Sequence, residues 1–98
     1  MTSEQYDRML LEMAYLRYPV GTFIKKIIKE LGMTQVELSL RMGRPKKTIC
    51  EILNNKAHIT AETAIQLEYA TGMYARWILR WQAEWDLRVA RRKYSNDG

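Results

Sequence analysis

One cysteine, Cys50, and one histidine, His58, are the only thiol and imidazole in the 98-residue chain. A single thiol closes no internal disulfide, which fits a reducing, cytoplasmic setting. His58 has no second histidine and no nearby cysteine, so the spacing predicts a loop histidine and no metal site. No Ser/His/Asp or Cys/His set has usable spacing, and no glycine-rich loop could cradle a phosphate. An enzyme is therefore the class that the sequence supports least, and no cofactor is expected. No apolar run reaches the roughly 18–20 residues that span a bilayer, so no membrane partner is expected. The amino-terminal stretch holds Glu4, Asp7 and Glu12 and lacks a signal-peptide pattern. β patterning, internal repeats and low-complexity linkers are missing too. What remains is a chain of ordinary globular composition, 47% hydrophobic, and large enough for a single core.

The net charge is +5, and its distribution says more than its size. Residues 21–60 carry eight basic and three acidic side chains, against two and three in residues 1–20 and six and five in residues 61–98. A basic excess localised in this way is the electrostatic footprint of a polyanion partner. On charge alone, a solvated basic face fits equally well.

Apolar spacing divides the chain into helices. Residues 3–17 place Tyr6, Met9, Leu10, Met13 and Leu16 on one stripe, with Thr2 and Gln5 at capping-box spacing. Tyr18-Pro19 ends that helix, because the residue before proline disfavours the α region. A second helix over 21–31 is predicted to bury Phe23, Ile24, Ile27, Ile28 and Leu31, with Gly32 as its left-handed cap. Thr60 caps a later helix that carries Ala64, Ile65 and Leu67 before Gly72. The last helix, over 74–91, sets Trp77, Trp81 and Trp85 at four-residue spacing, and a polar tail follows.

The most informative stretch is Met33–Asn55. Thr34 and Glu37 form a capping box: the threonine accepts an early helical N–H and the glutamate reaches back to the cap. A short helix from Gln35 to Met42 follows, and Gly43 supplies a tight left-handed turn. Pro45 suits the first turn of a second short helix, where its missing N–H breaks no bond. That helix carries Ile49, Ile52 and Leu53 inward, and Asn54 or Asn55 can end it in the left-handed region. Two short helices joined by a glycine turn, with lysines opening the second, make a helix-turn-helix.

With these residues in view, the chain resembles the helix-turn-helix repressor superfamily of the phage lambda and Cro repressors, the XRE class. The likeness covers Gly21, Leu31-Gly32, Thr34-Gln35, Leu38, Met42-Gly43, Thr48 to Ile52 and Asn54 to Lys56. It continues through Ile59-Thr60, Ala64, Leu67 and Gly72. Within that class the chain is similar to HigA-type antitoxins of toxin–antitoxin modules, whose closing pattern corresponds here to residues 78–87. Ser39, Pro45, Asn55 and Ile78 stand where that pattern has an alanine, a capping Ser/Thr, a glycine and a tryptophan. The resemblance implies an all-α, lambda-repressor-like bundle of about five helices plus an extra amino-terminal helix. The expected organisation is an amphipathic helix over 1–18, a DNA-binding domain over 19–90 and a flexible basic tail over 91–98.

The implied function is sequence-specific repression from double-stranded DNA, combined with neutralisation of an RNA-cleaving protein toxin. A near-palindromic operator and a homodimer would go with it. A generic XRE-class regulator, the amino-terminal domain of a longer regulator, and a toxin-binding module with residual DNA binding are the alternatives. Lys46, Lys47 and Glu51 are the candidate base contacts, since lysine can donate to guanine and glutamate can accept from cytosine. An i,i+4 salt bridge from Lys47 is the other reading of Glu51. Gln35, Arg44, Thr48, Asn54 and Lys56 are candidate phosphate contacts, which set register without reading sequence. Trp77, Trp81 and Trp85 exceed what a small core needs and are the candidate dimer interface. Leu40, polar in the pattern, points the same way.

Overall fold

The computed structural model describes Glu4 and residues 18–97. Among them are five helices and no strand: α1 (Val20–Glu30), α2 (Gln35–Met42), α3 (Lys46–Leu53), α4 (Ala61–Thr71) and α5 (Ala75–Asp97). This is the expected all-α bundle. The helix expected over 3–17 lies, Glu4 apart, outside the described residues.

Local chemistry sets most helix ends. Thr34 accepts the Glu37 N–H at 3.1 Å. Its hydroxyl also donates to Glu37 Oε1 at 3.4 Å, so the glutamate closes on the hydroxyl rather than on the cap N–H. Thr60 accepts the Thr63 N–H at 3.2 Å to open α4. Gly43 ends α2 at φ 65°, and Arg44 N–H returns to the Ser39 carbonyl at 3.1 Å, a Schellman arrangement. Pro45 is the N-cap of α3 (φ −59°, ψ 146°) and not its first helical residue. At the far end of α3, Asn55 rather than Asn54 turns left-handed, at φ 61°.

The side chain of Asn55 then acts at long range. Its Oδ1 accepts the Gly21 N–H at 2.8 Å, and its Nδ2 donates to Thr22 Oγ1 at 2.9 Å. Pro19 gives α1 no side-chain cap of its own, so Asn55 supplies one and ties the end of α3 to the start of α1. The approach is close. A Cβ on Gly21 would collide with the Ile52 carbonyl and with Asn55 Oδ1.

α1 packs on α3 and α5, α2 on α3 and α4, and α4 on α5. Ile24, Leu38, Ile49, Leu53, Leu67 and Ile78 are sealed between them, and burying such a side chain stabilises the fold by about 1.5–3 kcal/mol. Two expected core positions lie outside. Leu31 is 54% exposed because it is the C-cap of α1, where the chain turns away. Ile65 is 45% exposed, across α4 from the buried Ala64 and Leu67.

The tryptophan stripe serves the protomer's own core. Trp77 and Trp81 are 5% and 0% exposed. The ring of Phe23 sits 5.0 Å from Trp77 and 4.4 Å from Trp81. Trp81 Nε1 donates to the Tyr18 carbonyl at 3.0 Å. These two rings therefore have little surface left for a second copy, a correction to their place in the expected dimer interface. Trp85 keeps partial exposure, with the Arg88 guanidinium 5.7 Å from its ring.

α5 runs through Asp97, beyond the end expected near residue 91. Arginine and lysine favour helix, and no glycine or proline intervenes before Asp97, so residues 91–97 are helical rather than an irregular tail. Two contacts fix this helix to the body. Glu68 accepts the Ala75 N–H at 3.0 Å, placing a carboxylate at the positive end of the helix. Further along, Gln82 grips the α3–α4 loop through Ile59, accepting its N–H at 2.7 Å and donating to its carbonyl at 2.8 Å.

Candidate nucleic-acid interface

α2, the Gly43-Arg44-Pro45 turn and α3 form one packed unit, and its orientation is set by what α3 buries. Ile49, Ile52 and Leu53 are 1%, 3% and 1% exposed. At 3.6 residues per turn, the opposite side of the helix must carry Lys47, Cys50, Glu51 and Asn54. Lys47, Cys50, Glu51, Asn54 and Lys56 do line one shallow cleft of about 390 Å³. Lys46 is exposed at the first position of the same helix, outside that cleft.

Pro45 offers no side-chain acceptor, and α3 has no side-chain cap. The first N–H groups of α3 therefore point outward beside two lysines. Helix-terminal N–H groups, the positive end of the dipole and ammonium groups all favour an anion at that place.

The other candidates divide by environment. Gln35 opens α2 and is half-buried, as are Thr48 and Arg44. The Arg44 guanidinium reaches Gln66 Oε1 of α4 at 3.4 Å, while its carbonyl accepts the Ser39 hydroxyl. The turn is thereby fixed, and the remaining guanidinium donors are left for an outside acceptor. Asn54 is exposed, but its amide is turned back on the helix, donating to the Cys50 carbonyl at 2.9 Å and lying 3.3 Å from Cys50 Sγ. Glu51 is half-buried, and no ion pair joins it to Lys47 among the described residues.

Cys50, expected as a small packed or half-exposed residue, is exposed in the middle of this face. The signal was available, since Cys50 lies three residues after Lys47 and one before Glu51, away from the apolar stripe. The roles of Asn55 and Gln82 depend on distant partners, and local spacing carried no sign of them.

Among the described residues, no group of three His, Cys, Asp or Glu side chains could hold a metal. No described helix is long and apolar enough to cross a membrane.

The family model described as helix-turn-helix (HTH_3) matches residues 24–78, from α1 into the first turn of α5. No curated protein matches the chain. Among the solved structures that superimpose on it are two antidote proteins. One, from Nostoc punctiforme, is described as a candidate antidote protein of a plasmid maintenance system. It is 28% identical, with a TM-score of 0.75 over 82% of this chain and 88% of that one. The other is an addiction module antidote protein of a HigA family from Coxiella burnetii. It is 23% identical, with a TM-score of 0.71 over the same shares, and that likeness shows the fold.

Proposed function

The chain belongs to the HTH_3 helix-turn-helix family, and from that premise we propose that it is a sequence-specific, double-stranded-DNA-binding repressor. We further infer that it is the antitoxin of a HigBA-type module, repressing its own operon and neutralising an RNA-cleaving toxin. One observation supports the DNA-binding part: α3 presents an uncapped amino terminus, two exposed lysines and a shallow cleft on the side opposite its buried stripe. The antitoxin part draws on the likeness to the Nostoc punctiforme antidote protein, which covers most of both chains. This is a binding function, exercised in the cytoplasm, and requires no catalysis.

In this reading α3 enters the major groove. Lys46 and Lys47 donate to guanine, and Glu51 accepts from cytosine N4. Gln35, Arg44, Thr48, Asn54 and Lys56 hold the phosphates on either side and fix the register. One such helix reads only a short half-site. The active form is therefore a homodimer on a near-palindrome, with the DNA-binding unit spanning residues 19–90. Because Trp77 and Trp81 are used inside the protomer, Trp85 and its exposed neighbours on α5 are the remaining part of the stripe that can meet a second copy.

A mobility-shift titration tests the proposal, comparing the gene's own upstream DNA with a random duplex at several salt concentrations. The expected result is a steep salt dependence on both duplexes and a preference of at least about 10³-fold for the upstream DNA. Equal binding to both would refute sequence specificity, and no binding at low salt would refute the DNA role. Toxin neutralisation is scored separately, by rescue of growth when the chain is co-expressed with its RNA-cleaving partner.

A further inference from the structure

The far end of α5 has no part in the reading above. Arg88, Arg91, Arg92 and Lys93 put four positive charges in six residues, and residues 87–96 contain no acid. Arg91, Arg92 and Lys93 follow one another, so like charges crowd a single turn of helix and repel. Arg91, Arg92 and Lys93 are exposed and contribute nothing to the core. An anion laid along this stretch would relieve that repulsion.

The position of the arm identifies the anion. Trp85, Asp86 and Val89 form one wall of an open groove of about 410 Å³, and the opposite wall includes Asn55, Lys56 and His58, the residues that leave α3. Arg92 and Lys93 lie three and four residues beyond Val89, so they continue the stripe that lines the groove. The arm thus leaves the body beside Lys56, on the side where α3 ends. Asp86, the acid in this groove, lies one turn before Val89, towards the body.

We propose that this arm is a second phosphate grip. Arg92 and Lys93 hold the backbone of the same duplex next to the half-site that α3 reads, and Lys56 continues the positive track between them. The inference rests on the DNA-binding reading above. Charge and reach are what a phosphate contact requires, and continuity with the α3 face favours the duplex over an acidic protein surface.

The test is the double variant Arg92→Gln, Lys93→Gln, since glutamine keeps good helix propensity, with Arg91→Gln, on the opposite face of the helix, as the control that should leave the slope nearly unchanged. Its duplex affinity is followed by fluorescence anisotropy over a salt series on three DNAs. These are the upstream DNA, a random duplex of equal length, and the upstream DNA cut back to the edge of the operator. The slope of log affinity against log salt should become shallower by about 3–4 on both long duplexes, since a dimer carries two arms and each phosphate no longer neutralised counts for roughly 0.9. The preference for upstream DNA should not change, and the deficit should vanish on the shortened duplex. Arg92→Lys should keep the wild-type slope, because charge and not fork geometry is used. An unchanged slope in the double variant, or a deficit that persists on the shortened duplex, overturns the proposal. So does a variant that binds DNA normally but no longer captures a protein partner. A wild-type chain that binds no duplex would sink the DNA reading itself, which distinguishes the two failures.

Discussion

Asn55 does two things that a substitution series can separate. Its backbone sits at φ 61°, a region that costs most L-residues about 1–2 kcal/mol and asparagine less. Its side chain accepts the N–H of Gly21 at 2.8 Å. Gly21 is buried, so losing the acceptor leaves a donor unsatisfied, at a cost of about 1–3 kcal/mol. The second bond, to Thr22 Oγ1, is exposed, and water can replace it. Asn55→Gly keeps the backbone and removes the clamp, so it should destabilise by about 1–2 kcal/mol. Asn55→Ala removes the clamp and adds strain, for a total of about 2–4 kcal/mol. Asn55→Asp keeps the acceptor and adds a charge at the positive end of α1, a gain of about 0.3–1 kcal/mol that offsets the lost donor. The order of stability should be Asn and Asp together, then Gly, then Ala. Urea unfolding followed by tryptophan fluorescence reads it, because Phe23 of α1 lies against Trp77 and Trp81. A glycine variant as stable as wild type would show that the clamp contributes nothing. Equal losses for glycine and alanine would show that the left-handed backbone is irrelevant.

Gln82→Ala should cost about 2 kcal/mol, since two of its hydrogen bonds go to the buried Ile59 backbone, which has no substitute at hand; a neutral result in the same urea assay would mean the loop holds without it. Lys46→Ala should cost roughly 1–3 kcal/mol of specific binding and relax preference at one base pair, whereas Gln35→Ala should weaken all duplexes alike. An equal drop on operator and random DNA for Lys46→Ala removes it from base reading. Cys50 is the single thiol and lies exposed on the proposed reading face, so maleimide labelling is selective for that face. Labelled protein should lose duplex binding, and bound duplex should slow the labelling; a rate unaffected by saturating DNA would place the interface elsewhere.

What the sequence made legible was what short-range chemistry determines. Thr34 and Glu37 are three residues apart, Gly43 needs only its own backbone freedom, and the Ile49, Ile52 and Leu53 stripe follows from helical period. The two-helix unit and the lysines at its exposed start could therefore be read directly. Leu31 went the wrong way because periodicity continues one residue past the point where the chain turns. The tryptophans look surplus only if the core is drawn from α5 outward. Phe23 and Tyr18, distant in sequence, close over Trp77 and Trp81. The end of α5 was misplaced because the absence of apolar spacing signals loss of packing, and helix propensity persists without packing.

Three of the four departures from the HigA-like pattern follow one rule: a local device is kept with a different chemistry. Where the pattern has a glycine to turn left-handed, Asn55 makes the same turn and adds a cap that Pro19 cannot give α1. Where it has a tight alanine, Ser39 fits and donates its hydroxyl to the Arg44 carbonyl, bracing the turn into α3. Where it has a tryptophan, Ile78 is fully buried, and the aromatic bulk stands one residue earlier, with Trp77 against Phe23. Pro45 is the exception. A capping Ser or Thr would occupy the first N–H groups of α3, and proline leaves them open. Three departures thus preserve the scaffold while the fourth alters the face that the scaffold presents. An anion at the start of α3 should consequently meet free backbone donors as well as Lys46 and Lys47, and restoring a cap with Pro45→Ser should stabilise α3 by about 0.5–2 kcal/mol while weakening duplex binding.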